Sequence, residues 1–435
     1  MRIDVSESPL PPPLIIPRPE HSLSRKDVEV EALKVLYRLF HAGYTAYLVG
    51  GSVRDLLVGR KPKDFDIVTD ARPGEIRKLF RNSRIIGRRF RLVQVFFRGG
   101  HIVEVSTFRR RSEFEEEQQD QEAPAARDNT FGTPAEDAQR RDLTINGLFY
   151  NIADFSLVDY VGGLEDLQSG RIRVIGEPAV RFTRDPVRML RVLRHAARLG
   201  FDIDLEAWEE IGHKKQLIRL CPAARVRDEL LKDFHSGATR PFMELMLASG
   251  LFYAIFPVWE SRLRREGEVR LLDLCARVDL LFKAEVPLAD SLLWAVFLTP
   301  YLEQGPGPAN PKEIREFLQE EANEAFLGSE IPRQRQEELV QILALAEKLA
   351  PLLRQRRAVP VRLSRLATYP EAWLYCQLKE APLEDLVERC RPEEIPPRAL
   401  QPKRRRPRRR RSRNRGPRRI TETKDGSKSQ KYRKS

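Results

Sequence analysis

A glycine pair, Gly50-Gly51, follows the apolar run Tyr47-Leu48-Val49 and opens the short helical stretch Ser52-Val53-Arg54-Asp55; nine residues after Asp55 comes Asp64-Phe65-Asp66. That order reads as strand, tight turn, helix, strand. Glycines let the backbone bend sharply and approach a ligand closely. Ser52 can cap the following helix, with Asp55 as its capping-box partner. Free N–H groups at a helix start favour phosphate, and Arg54 can add a forked donor to the same phosphates. A capped turn with a surface arginine is the plainer reading of the glycine pair alone.

The two aspartates narrow the choice. Alternate side chains of a strand share a face, so Asp64 and Asp66 point one way while Phe65 and Ile67 face the core. Paired carboxylates raise one another's cost of ionisation, a conflict that divalent cations remove. Glu104 interrupts the β-branched run Ile102-Val103-Glu104-Val105-Ser106. A carboxylate there faces either a cation or solvent, and the pattern leaves both open.

Further along, Thr133-Pro134-Ala135-Glu136 is a helix start, with Thr as cap, Pro in the first turn and Glu closing a capping box. The spacing predicts a helix from there to about Tyr150, with Asp142 and Asn146 four apart on one face. Asp185-Pro186 reads as a cap and first-turn pair, with Arg188 on the same helix face. Arg225 and Glu229, four apart, either brace that helix or form a surface ion pair.

Taken together, Leu48-Val-Gly-Gly-Ser-Val-Arg-Asp55, Lys63-Asp-Phe-Asp-Ile67 and Arg140-Arg-Asp-Leu-Thr-Ile-Asn146 resemble the class II nucleotidyltransferases, the bacterial poly(A) polymerases and CCA-adding enzymes. The resemblance runs from about residue 25 to 260 and weakens toward 400. It implies an α/β nucleotidyltransferase head with a mixed sheet, an all-α neck and body, and a disordered basic C-terminal tail. The implied divisions are a Pro-rich disordered N-terminus (1–24), head (25–165), helical neck (166–260), helical body (261–400) and tail (401–435). Asp64 and Asp66 are implied to hold two Mg²⁺ ions, with Glu104 as third acid. Gly50, Gly51 and Arg54 are implied at the triphosphate of ATP, and Arg141, Asp142 and Asn146 around ribose and phosphates. Asp185 and Arg188 are implied to read the incoming base. The family carries a Glu immediately before that Asp, where this chain has Arg184.

Two features point to the poly(A) branch. Residues 85–95 resemble a segment of the bacterial poly(A) polymerases, with Gln94 in place of the usual His. Residues 401–435 carry a net charge of +15 against +14 for the whole chain, so the basic character belongs to the tail. Such a segment cannot bury a core; it offers phosphate contacts without base readout, which suits an enzyme extending many single-stranded RNA 3′ ends. A solubility or localisation role is the alternative. A CCA-adding enzyme is the second functional reading, and a catalytically inactive RNA-binding scaffold the third; clustered acids argue against the scaffold.

The acidic stretch 112–126 reads as a loop within the head. No apolar run approaches a membrane span, residues 1–24 do not form a signal peptide, and Cys221, Cys275, Cys376 and Cys390 show no CxxC pairing. These fit a cytoplasmic protein with reduced thiols and no membrane partner. Scattered histidines argue against zinc, and the lack of a Walker A sequence against a P-loop enzyme.

Overall fold

A computed structural model describes residues 12–87, 91–110, 131–307, 310, 313–326, 331–391 and 393–394. The acidic stretch 112–126 and the tail lie outside the described residues. The first half is built on an eight-stranded sheet. In chain order come β1 (Leu14–Ile16), α1 (Val30–His41), β2 (Ala46–Val49), α2 (Gly51–Leu57), β3 (Asp66–Thr69), α3 (Pro73–Leu79), β4 (Ser83–Ile86), β5 (Leu92–Phe96), β6 (Ile102–Thr107), α4 (Pro134–Gln139), β7 (Leu148–Asn151) and β8 (Leu157–Asp159). The sheet order is β1-β8-β7-β2-β3-β6-β5-β4. Only β3 and β6 pair in parallel; the other neighbours are antiparallel, so the sheet is mixed.

Period-two patterning decides which face is covered. Ile67, Val93, Val95, Val103 and Val105 point to one face and pack against Val35, Leu36 and Leu39 of α1 and Ile76 of α3. On the other face Val49, Val68, Phe108, Phe149 and Val158 form a smaller cluster. That face keeps an uncovered strip where Asp66 and Glu104 emerge. Leu14–Ile16 pairs with β8 along the sheet edge, so the expectation of a disordered 1–24 fails from residue 14 onward: the backbone of these residues pairs with the edge of β8, and Ile16 joins the core.

The second half is helical. It contains α5 (Gly163–Ser169), β9 (Arg171–Ile172), α6 (Pro178–Arg184), α7 (Val187–Leu199), β10 (Asp202–Ile203), α8 (Leu205–Lys214), α9 (Ala223–Phe234), α10 (Thr239–Ala248), α11 (Leu251–Ile255), α12 (Pro257–Arg262) and α13 (Arg265–Lys283). Then follow α14 (Asp290–Glu303), α15 (Ile314–Ala325), α16 (Arg333–Arg354), α17 (Val361–Ser364), α18 (Tyr369–Glu380) and α19 (Leu383–Arg389). The apolar face of α7 buries Met189, Leu190, Val192, Leu193 and Ala196. A buried arginine also joins it to α9: Arg194 Nε lies 2.8 Å from Asp233 and Nη1 2.5 Å from Glu229. In the body, α14 is buried almost all round from Ser291 to Tyr301. Phe297 packs there against Trp259 with the rings tilted by 36° and their centroids 4.9 Å apart.

The long helix expected from Pro134 to about Tyr150 does not form. The capping box at Thr133 and Glu136 is present, but α4 ends at Gln139. A turn and a 3₁₀ segment (Thr144–Asn146) follow, and residues 148–151 enter the sheet. Buried Asp137 draws Arg140 and Arg141 back onto the end of α4, while Phe149 and Tyr150 fill opposite faces of β7. Gly163 of α5 sits so close beneath the turn that a Cβ there would collide with the Thr144 carbonyl oxygen. Gly163→Ala is expected to destabilise the protein by about 1–3 kcal/mol, read by urea denaturation. Unchanged stability would show that the turn yields.

Candidate active site

The acids meet because β3 and β6 run in parallel register. Asp66 stands opposite Glu104, and Ile67 opposite Val105. Phe65 and Ile67 are buried as expected. Asp64 precedes β3 and is exposed. On the next strand Gln94 stands opposite Glu104 and donates from Nε2 to its Oε1 at 3.0 Å, so this amide orients the third acid.

A cleft of about 440 Å³ opens over this strip, lined among others by Asp66, Glu104, Arg141, Asp142, Asp185 and Arg188. Six of the eleven residues singled out in the sequence therefore converge, from β3, β6, the turn after α4, and the α6–α7 junction. Asp64, Gly50, Gly51, Arg54 and Asn146 lie outside that lining. A larger hollow of about 1280 Å³ is lined in part by Arg198, His235, Phe282 and Lys283; its Asp279 accepts from Thr239 N and Arg240 N at the start of α10.

Burial, then the Glu104 charge, raises the Asp66 carboxyl to about 6, against the pull of Arg141 and with a further push from Asp64. Its own surface opens to the cleft, so the walls around it, not coverage of the carboxylate, restrict its hydration. Two hard oxygen donors that oppose one another's ionisation match the chemistry of a divalent cation. Among the described residues, three potential metal-ligand atoms within 4.8 Å of one another are found at Glu29, Glu31 and His101, at the start of α1 and before β6; Glu31 also faces Lys34 at 3.7 Å. Asp64, Asp66 and Glu104 do not form such a group among the described residues.

Gly50 has φ 72° and ψ −139°, a conformation open essentially to glycine alone. It serves as the cap of α2, so Ser52 falls inside the first turn and donates to Val49 O at 3.0 Å instead of capping. Two guanidiniums flank the glycine turn. Arg141 Nη1 lies 3.3 Å, and Arg54 Nη2 3.4 Å, from where side chains on Gly50 and Gly51 would begin. Asp137, fully buried, fixes Arg141 through Nη2 at 2.9 Å, and the guanidinium stacks over Phe149. Burial alone would push the Asp137 pKa up, but Arg141 and Arg140 hold it below the usual value.

Arg54 is turned inward. It is 4% exposed, bonds Asp55 through Nε and Nη2, and donates from Nη1 to Asn146 Oδ1 at 2.7 Å. Asn146 Nδ2 lies 3.2 Å from Asp142 Oδ1, so the expected Asp142–Asn146 contact exists, across a turn rather than along a helix. Arg191 closes on the other oxygen, Nε to Oδ2 at 2.7 Å. Burial disfavours the Asp142 carboxylate, but Arg191 outweighs it and holds the pKa well below the ordinary value. Sequence reasoning missed Arg191 and His195; the signal was a polar stripe at 188, 191 and 195 on a helix whose other face is apolar.

Asp185 ends α6, and Pro186 takes the cap position of α7, so Asp185 is not the side-chain cap expected. Its carboxylate faces Arg225, whose Nη2 donates to Oδ2 at 2.9 Å. Arg225 Nη1 is 2.9 Å from Oδ1, an ion-pair contact without a well-directed hydrogen bond. Arg188 Nε lies 3.6 Å from Oδ2. Arg225 therefore braces Asp185, whereas Glu229 binds Arg194 and Lys232 instead of Arg225.

The Asp66 shift sets the sign of a pH effect. A carboxyl whose pKa rises from 3.8 to about 6 on folding contributes stability below pH 3.8 and loses it as pH rises through 6. In EDTA, Asp66→Asn is expected to be more stable than wild type at pH 8 but not at pH 4. The difference should be about 1 kcal/mol, discounted for solvent screening. Chemical denaturation at the two pH values checks it; equal stability at pH 8 would contradict the electrostatic reading.

Comparison with known proteins follows the same lines. The family described as "Poly A polymerase head domain" matches residues 46–173, and "Probable RNA and SrmB- binding site of polymerase A" matches residues 200–263. Poly(A) polymerase I of Salmonella typhi is 47% identical over 299 residues, 66% of this chain and 64% of the relative. The CCA-adding enzyme of Bacillus pumilus is 34% identical over 234 residues, 54% of this chain and 56% of the relative. The match thus spans less than two thirds of either curated relative. A CCA-adding enzyme of Bacillus stearothermophilus, solved in complex with CTP, superposes with a TM-score of 0.62 at 25% identity, over 83% of this chain and 80% of the other. By these motifs, this fold and these relatives, residues 46–173 and 200–263 carry the domains of the poly(A) polymerase family, and the chain is similar to poly(A) polymerases and CCA-adding enzymes.

Proposed function

We propose that this protein is a template-independent polymerase that adds AMP from ATP to RNA 3′ ends, releasing pyrophosphate. One observation carries the reading: an acidic pair, Asp66 and Glu104, shares a cleft with a polar pair, Asp185 and Arg188, able to address a nucleobase. Asp64 and Asp66 would hold two Mg²⁺ ions, with Glu104, oriented by Gln94, in support; such ions would supply a lowered pKa for the RNA 3′-hydroxyl and neutralisation of the leaving pyrophosphate. Gly50 and Gly51 bring backbone close to the triphosphate, with Arg141 beside them. Asp142 and Asn146, immobilised by Arg191 and Arg54, position ribose and phosphates.

With no template strand, the protein itself chooses the base. Oδ1 of Asp185, ion-paired to Arg225 but without a well-directed hydrogen bond, accepts from an exocyclic amino group, and Arg188 donates to the adjacent ring nitrogen. Adenine and cytosine present that donor–acceptor pair; uracil and guanine present the reverse, leaving buried polar groups unpaired, which gives strong rejection. Arg225 holds Asp185 for this task. Because the pair suits cytosine as well, and a CCA-adding enzyme with CTP shares the fold, CCA addition is the second reading. The higher identity to Poly(A) polymerase I favours the first.

The tail at 401–435 supplies a sequence-tolerant tether for single-stranded RNA, with affinity falling as salt rises by a log–log slope of roughly −0.7 per phosphate neutralised. Among the described residues no helix is long and apolar enough to cross a membrane, and the four cysteines are free; a cytoplasmic setting goes with this reading.

The test is nucleotide incorporation by purified protein with Mg²⁺ and either ATP or CTP, on an unstructured RNA and on a tRNA lacking its CCA end. Long A-only tails on both RNAs are expected, and Asp66→Ala should abolish them while its circular dichroism matches wild type. Addition confined to C, C and A on the tRNA would move the assignment to tRNA repair. Full activity of Asp66→Ala would remove the metal assignment. Arg225→Ala should lower kcat/KM for ATP about tenfold with little effect on RNA affinity.

A further inference from the structure

One stripe of α7 carries Arg188, Arg191 and His195, three and seven residues apart and so on one helical face. The first lines the cleft and the other two fasten the helix to the sheet domain. Arg191 meets Asp142, Nη2 to Oδ2 at 2.5 Å. His195, 8% exposed, meets Arg54, Nη1 to Nδ1 at 3.2 Å. Asn146 joins the two attachments by accepting from Arg54 and donating to Asp142. The result is a closed ring, Arg54–Asn146–Asp142–Arg191, returning along α7 through His195 to Arg54.

The chemistry at His195 is fixed by its partner. An arginine N–H can only donate, so Nδ1 is a bare acceptor and any ring proton sits on Nε2. Burial and the Arg54 charge hold this imidazole neutral, with its pKa well below the usual value. Arg54 has five N–H groups. Asp55 takes those on Nε and Nη2, and Asn146 and His195 share Nη1. The donor left over is on Nη2, the atom beside Gly51. His195 thereby keeps Nη1 away from the glycine turn and leaves one donor there.

We propose that His195 is a positioning residue for nucleotide selection: its bond to Arg54, set between the attachments of Arg188 to Arg141 O and of Arg191 to Asp142 on one side and of Arg60 to the Arg198 carbonyl on the other, helps fix the rotation of α7, and with it the placement of Asp185 and Arg188 relative to the Asp66–Glu104 face. Loss of that bond removes the fastening between Arg191 and Arg198 and frees Arg54 Nη1 to turn, which lets this stretch of the helix shift. A shift of about 1 Å between base and reacting phosphate is enough to cost about 10²-fold in rate. The proposal rests on the reading of Asp185 and Arg188 as the base-selecting pair.

The experiment compares His195→Leu, which removes the acceptor, with His195→Gln, whose side-chain oxygen can restore it. Both kcat and KM for ATP and CTP are measured, with equilibrium binding of each nucleotide alongside. The leucine variant is expected to lose about tenfold in kcat/KM for ATP and about as much in the ATP-to-CTP ratio, and the glutamine variant to recover to within about threefold. A folded leucine variant with wild-type KM and an unchanged ratio would overturn the proposal. An equal loss of kcat for ATP and CTP, with both KM values and the ratio unchanged, would also overturn it, since a smaller folded fraction gives that result. Should the leucine variant not fold, a cycle between His195→Gln and Arg54→Lys decides: coupled effects on the ratio support the bond, and additive effects overturn it. Absence of AMP incorporation by the unaltered protein would instead strike the polymerase reading, while the binding ratios still test the role of His195.

Discussion

Two carboxylates held face to face across parallel strands are the constraint on which the rest of this protein turns. Asp66 and Glu104 share a register position between β3 and β6, with Gln94 of β5 bound to the second. The sheet cannot separate them, because their neighbours Ile67 and Val105 are locked into the core beneath α1 and α3. Burial and mutual repulsion lift the Asp66 carboxyl to about 6. A fold that tolerates such strain at one strip of an otherwise well-packed sheet has a use for it, and divalent cation chemistry is the use these donors fit.

The second requirement is alignment. A cleft between a sheet domain and a helical one works only if the two are held in register, and here the fastening is polar. Asp142, Asn146 and Arg54 on the head side meet Arg191 and His195 on the helix side, and Arg194 then ties α7 to α9. Buried ionic groups of this kind add little net stability compared with apolar packing but are intolerant of a missing partner. They specify one arrangement of the two parts. Arg225, reaching from α9 to Asp185, extends the same fastening to the residue proposed to read the base.

Much of this was legible in the sequence where local chemistry and long-range structure agree. The glycine turn, the alternation around Asp66 and Glu104, and the capping box at Thr133 were readable because each depends on residues close in the chain. The reading failed where tertiary contacts decide. Helical spacing past Gln139 was overridden by Asp137 recruiting both arginines and by β7 joining the sheet. Ser52 lost its capping role because Gly50 adopts a positive φ that starts the helix earlier. Arg54 reads as a phosphate ligand in the motif, yet the fold turns most of its donors toward Asp55, Asn146 and His195. No spacing rule brings residues 54, 142 and 195 together; only the packing of α7 against the head does so.

The most direct test of the central claim is divalent cation binding at the acidic strip. Titration with Mn²⁺ in the presence of a non-hydrolysable ATP analogue, followed by electron paramagnetic resonance, should show nucleotide-dependent binding in the unaltered protein. That binding should weaken by at least tenfold in Asp66→Asn, while Glu29→Gln in the surface group with Glu31 and His101 leaves it unchanged. Equal affinity in wild type and Asp66→Asn would contradict the account, and would mean that the paired acids serve something other than a metal.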